Sequence, residues 1–180
     1  MTYNIIVGRD ESDRKKFGEA GVVLLGKHYV KMGRTTSLSN PVFLDIVRSH
    51  VILVCGKKGS GKSWTLGVIS EGISNLPPEI ARNACVVIFD TMGVFWTMKY
   101  PNRKEDELLR EWGMSAKGLD IAIYTPKGYY ARYQDSEMPT DFPFSIRPDE
   151  LTSEDWMLSF GLSMNDPISI LIDKILSDFE

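Results

Sequence analysis

The chain has few of the residues that build metal centres or disulfide scaffolds: two cysteines and two histidines in 180 residues. Cys55 and Cys85 share no metal or disulfide spacing, and both fall in apolar runs. They read as small core residues of a reducing compartment. His28 and His50 are too far apart and too isolated to read as ligands, so a turn or strand edge is expected for each. No apolar run approaches the ~18 residues of a membrane helix. Positive charge is not in excess either. The net charge is −3 and the pI about 5.5, which excludes a globally basic nucleic-acid binder. A ring-shaped motor that confines its positive charge to a pore lining stays open. The start, MTYNIIVGRDESDRKK, puts charge after its short apolar run, the reverse of a secretory leader. A cytoplasmic location is expected. No internal repeat or low-complexity segment interrupts the chain.

What is present is a globular composition, 43% hydrophobic and 11% aromatic, in a length that suits one domain with a small appendage. The most informative stretch is HVILVCGKKGSGKSWTL. His50 to Cys55 is a short β-branched apolar run and reads as a buried strand. Gly56-x-x-x-x-Gly61-Lys62-Ser63 follows, a complete P-loop pattern. Gly56, Gly59 and Gly61 allow backbone conformations and close approaches that a Cβ forbids. The N–H groups of Lys57, Ser60 and their neighbours can then form an anion nest. The following helix adds the positive end of its dipole. Lys62 would meet the β- and γ-phosphates of ATP, and Ser63 would ligate Mg²⁺ through its hydroxyl. Trp64, next in line, either lies near the nucleotide or packs the helix on a sheet.

Elsewhere, residues 1–49 are β-rich and broken by Gly21, Gly26, Gly33 and Pro41, as expected of a small β-module. Arg9, Arg14, Lys15 and Lys16 form a basic cluster that reads as a solvated turn rather than a phosphate contact. A helix is expected over 62–74, ended by Asn75 and Pro77-Pro78. Strands are expected at 51–55, 85–90 and 119–125, with a short amphipathic helix at 103–112. Residues 126–148 read as loop with extended pieces. Helices are expected from Thr152 or Ser153, and again from Asp166-Pro167. The latter carries Ile168, Leu171, Ile172, Ile175, Leu176 and Phe179 on one stripe. Strands alternating with helices imply an α/β fold with a parallel sheet. The tyrosines at 129, 130 and 133 read as packing residues, since only Lys127 and Arg132 accompany them.

Asp90 ends the apolar run CVVIFD. In open α/β sheets ligands bind at that end of the strands. Asp90 either bears on Mg²⁺ or a catalytic water, or caps the turn that follows.

GKKGSGKS, CVVIFDTMG, IAIYTP and FSIRPDELTSEDWMLSFGL, taken together, resemble the HerA branch of the HerA/FtsK superfamily. GRDES and FGEAGVVLLGK resemble a shortened form of the β-barrel module that opens such proteins. The resemblance implies a P-loop NTPase core of RecA-like form, with a parallel sheet, flanking helices and a preceding small β-rich module. It implies ATP and Mg²⁺ as cofactors, a homo-hexamer, DNA as the translocated substrate and a nuclease or effector as partner. Asp90, after four apolar residues, resembles a Walker B aspartate, and with Lys62 of the P-loop it is the catalytic candidate; the family's own Walker B strand, with its Asp-Glu pair, comes after a helical insertion. Two departures stand out. Many HerA-like sequences have an acidic residue where Val94 stands here. No apolar strand ending in Asp-Glu follows residue 125. The expected layout is a β-module at 1–49, the first part of an ATPase core at 50–150, and the start of a helical insertion at 151–180. As an N-terminal piece of a longer ATPase, the chain by itself is expected to bind nucleotide modestly and hydrolyse it negligibly. A small P-loop kinase is disfavoured, because the 127–148 segment lacks an arginine-rich lid. A nucleotide-binding regulatory module without turnover is the alternative.

Overall fold

The structure is a computed structural model that describes residues 3–178. It divides into two units, Met1–Ile121 and Ala122–Glu180.

The first unit opens with a three-stranded sheet of order β1-β3-β2, made of β1 (Ile5–Val7), β2 (Val22–Met32) and β3 (Thr35–Asp45). β2 and β3 form an antiparallel hairpin across Gly33-Arg34, where Gly33 has φ +60°. β-branched and aromatic residues suit these strands, and Gly33 supplies the positive φ of the tight turn. β1 pairs parallel with β3, Ile5 opposite Val42 and Val7 opposite Leu44. Pro41 has no N–H to donate, and it sits one residue before the β1-paired stretch, beside a register shift between Lys27 and Tyr29. Val23 lies opposite Leu44, and these two with Ile6 are the buried apolar side chains of this unit among the described residues.

Between β1 and β2 the chain forms α1 (Glu11–Phe17), where a solvated turn was expected. Asp10 accepts the Asp13 N–H at 2.7 Å and caps it. Arg14, Lys15 and Lys16 occupy its last turn, where the helix dipole favours cations. Arg9 departs further from the expectation. It is buried, and it takes no part in a solvated cluster.

α2 (Lys62–Ser74) covers the span expected from the sequence, with Asn75 at its C-cap. It packs on β2. The approach is close enough that a Cβ on Gly72 would stand 2.1 Å from Val23 Cγ1. Two short helices follow, α3 (Pro78–Ala81) and α4 (Asp106–Glu111), and Lys27 lies 4.7 Å over the Trp112 ring just after α4.

The chain is a mixed α/β structure with small sheets, but the expected parallel sheet of 51–55, 85–90 and 119–125 is not formed among the described residues. Residues 51–55 and 85–90 run without a sheet ladder, and only Tyr124–Pro126 of the 119–125 segment is a strand. An apolar run reports a demand for burial, whereas a strand requires a neighbour to pair with. Among the described residues these runs find none. Leu53, Val87 and Phe89 are therefore exposed. Cys55 and Cys85 follow their segments and are exposed too, not core residues as expected.

The second unit holds a parallel pair, β4 (Tyr124–Pro126) and β5 (Phe142–Phe144), with α5 (Lys127–Asp135) between them in sequence. α5 replaces the expected loop. Pro126 stands at its N-cap, and Tyr130 donates to the Asp141 carbonyl at 3.1 Å, tying the helix to the start of β5. α6 (Ser153–Phe160) begins with a capping box, in which Thr152 and Asp155 satisfy each other's backbone N–H groups. Gly161 ends it in the left-handed region. α7 (Pro167–Ser177) has Asp166 at its N-cap position, yet that carboxylate accepts from the preceding Ser163 N–H. α7 turns its Ser169 face inward, and Ser169 donates to the Ser163 carbonyl at 2.7 Å. Ile168, Leu171 and Ile175 of the expected buried stripe are exposed. Phe179 lies outside the described residues.

Candidate functional site

The glycine loop owes its shape to its glycines in two different ways. A Cβ on Gly56 would stand 2.4 Å from Ser60 Oγ, so a larger residue there would force the Ser60 hydroxyl to turn away. Gly59 and Gly61 have open space around them but φ values of +80° and +89°, so they are required by backbone conformation. The Ser60 N–H closes the turn onto the Lys57 carbonyl at 3.2 Å. The Thr65 N–H then bonds the Gly61 carbonyl at 2.9 Å and starts the ladder of α2.

The start of α2 is left open. Gly61 offers no side-chain cap, and the first turn contains no acidic residue. α1 and α6, by contrast, spend Asp10, Thr152 and Asp155 on their first N–H groups. Among the described residues the N–H groups of Lys62, Ser63 and Trp64 meet no acceptor, so they keep their positive field for a ligand. Lys62 folds back over the loop, and its Nζ donates to the Lys57 carbonyl at 3.0 Å. Ser63 and Trp64 are exposed on the same turn. These features fit a polyphosphate: a tight glycine turn, the Lys62 ammonium anchored beside it and a helix N-terminus with no anion of its own.

Asp90 sits apart from this loop in its bonding. Its carboxylate accepts from the N–H groups of Met92 at 3.2 Å, Val94 at 2.7 Å and Phe95 at 2.7 Å. Gly93, at φ +63°, lets the backbone wrap around it. The Asp-x-x-Gly pattern thus builds a turn that leads into the 3₁₀ segment Phe95–Lys99. No hydrogen bond joins Asp90 to the glycine loop among the described residues.

A cluster that sequence reasoning missed lies immediately upstream. Arg9 and Asp45 form an ion pair, with side chains 0% and 1% exposed. Arg9 also donates to the carbonyls of Gly18 and Ala20, at 2.7 and 2.8 Å, and to that of Gly21. The other oxygen of Asp45 meets His50 Nε2 at 2.8 Å and the Arg48 N–H at 3.2 Å. Arg48 in turn grips Asp13 through both oxygens, at 2.6 and 2.9 Å. Burial pushes the Asp45 carboxyl up, but the bonds from His50, Arg9 and the Arg48 and Val47 N–H groups outweigh it and hold it at about 2. The cluster clamps residues 46–50, the lead into the glycine loop. One signal was available. Asp45 ends the apolar run PVFLD much as Asp90 ends CVVIFD.

The family model for the central domain of helicase HerA matches residues 30–176. The chain belongs to that family. The HerA match spans the end of β2, the glycine loop, the Asp90 turn and most of α7. It leaves β1, α1 and Arg9 outside. HerA-type proteins are P-loop ATPases of the HerA/FtsK class, so ATP binding is the general activity of the family. No curated protein and no solved structure matches the chain. Among the described residues no helix is long and apolar enough to cross a membrane, and no group of three or more His, Cys, Asp or Glu side chains could hold a metal ion.

Proposed function

We propose that this chain is the ATP-binding part of a hexameric HerA/FtsK-type ATPase that couples ATP hydrolysis to DNA translocation, working with a nuclease or other effector. The observation that carries the reading is the uncapped start of α2 behind a loop shaped by Gly56, Gly59 and Gly61, with Lys62 and Ser63 in place. Lys57, Ser60 and Gly61 contribute backbone to the phosphate cradle. Lys62 neutralises charge on the β- and γ-phosphates, Ser63 offers its hydroxyl to the metal, and Trp64 flanks the nucleotide. Mg²⁺, when bound, supplies further charge neutralisation as the γ-phosphoryl group departs. Among the described residues Asp90 Oδ1 accepts one bond, the 3.2 Å bond from Met92, which leaves it lone pairs to offer a water of the metal shell. The ring, the DNA and the effector rest on family membership.

A second reading, nucleotide binding without turnover, is favoured by the bonding of Asp90 to three N–H groups of its own turn. Turnover of ~1 s⁻¹ or more, the low end for working enzymes, decides for the motor. Phosphate capture itself is tested by Lys62→Ala. Removing a charge-assisted contact worth roughly 1.5–3 kcal/mol weakens Mg-ATP binding by about 10- to 100-fold. Titration with a fluorescent ATP analogue reads this directly. Equal affinity in the two proteins refutes the site.

A further inference from the structure

We infer that Trp64 is the nucleobase platform of this site, holding a purine by its face rather than reading its edge. The inference rests on the phosphate-binding role of the glycine loop proposed above.

Trp64 is the third residue of α2 and directly follows Ser63. The sequence left two roles for it, packing the helix on a sheet or lying beside the nucleotide. The first is not seen among the described residues, where the runs 51–55 and 85–90 form no sheet for Trp64 to pack on. α2 meets β2 through Gly72, which stands against Val23, while Trp64 is 72% exposed. One helical step moves ~1.5 Å along the axis and ~100° around it. Trp64 is therefore turned by about 100° from Ser63 around the α2 axis, still within the first turn beside the loop. Lys62 and Ser63 address the terminal phosphates and metal, so the nucleoside end of the ligand must leave past a neighbouring flank. The next side chain, Thr65, does not compete for that space, because its hydroxyl is turned back onto the Gly61 carbonyl at 3.2 Å. A large flat indole beside a polyphosphate cradle has one matching chemistry in the same ligand, the π-face of the base. Stacking of this kind does not select among bases by hydrogen bonding. The site is thus expected to hold adenine and guanine nucleotides with similar affinity.

The test uses the full chain with Mg²⁺ and three probes: ATP, GTP and inorganic tripolyphosphate. Binding is measured by calorimetry for the wild type, Trp64→Ala, Trp64→Phe and Lys62→Ala. Trp64→Ala is expected to weaken ATP and GTP by about tenfold and to leave tripolyphosphate unchanged. Trp64→Phe should recover most of the loss, since it restores an aromatic face. Trp64→Ala with unchanged ATP affinity overturns the inference. So does an equal loss for ATP and tripolyphosphate, which would mean that Trp64 acts by shaping the loop. A tenfold or greater preference of the wild type for one purine overturns the face-only recognition. Failure of the underlying reading looks different, because Lys62→Ala would then leave tripolyphosphate binding intact.

Discussion

Replacing Asp45 by asparagine keeps the shape of the side chain and removes its charge. Arg9 then stays buried beside a neutral amide. Breaking a buried ion pair from one side costs roughly 3–5 kcal/mol. Arg9 retains the carbonyls of Gly18, Ala20 and Gly21, which softens the loss. The acid–base properties of Asp45 provide an independent figure. Its carboxyl is held at about 2 against an ordinary 3.8, and that depression corresponds to about 2 kcal/mol by linkage. Together they place the cost near the low end of the range, at about 3 kcal/mol. The direction with pH follows from the depressed value. The contribution is complete above pH 3.8 and is lost as the pH falls towards 2. Urea unfolding followed by circular dichroism should show Asp45→Asn well below wild type at pH 7, with the gap closing in acid. Adding Arg9→Met to Asp45→Asn should recover part of the loss, since no unpaired charge remains buried. A deficit under ~0.5 kcal/mol at pH 7, the scatter of ordinary surface changes, would refute the clamp. A gap that stays constant down to the acid limit of folding would refute its electrostatic basis.

Gly72→Ala should destabilise the first unit by about 1–3 kcal/mol through overpacking on Val23, and Val23→Ala in the same chain should relieve the clash; melting temperatures of the single and double variants check this. Asp90→Asn should reduce the gain in ATP affinity on adding Mg²⁺ while keeping the metal-free affinity. Identical responses to Mg²⁺ in wild type and variant would make Asp90 a turn residue alone.

Local chemistry was legible in the sequence. The glycine loop is written in consecutive residues, and α2 begins and ends where Lys62 and Asn75 require. Thr152, Asp155 and Gly161 likewise delimit α6 without distant help. What depended on pairing across the chain was not legible. The runs 51–55 and 85–90 have strand composition, but nothing in them specifies a partner. The environment of Cys55 and Cys85 was inferred from those strands and failed with them. Arg9 looked like one more cation beside Arg14, Lys15 and Lys16. Its partner Asp45 lies 36 residues away, beyond the reach of any local pattern. Residues 127–135 read as loop but form α5, which Tyr130 ties to Asp141, eleven residues on.

The bond between Lys62 and the Lys57 carbonyl ties the end of a long side chain to the main chain of its own loop. An ammonium has three N–H donors, and this bond uses one. The other two stay available, so an anion is added beside the carbonyl and not exchanged for it. What the tether supplies is order, because part of the rotamer freedom that a lysine loses on meeting a ligand is already given up. The anchoring group is the main chain of residue 57. A change of side chain at that position leaves the carbonyl in place, so the tether belongs to the curvature of the loop itself.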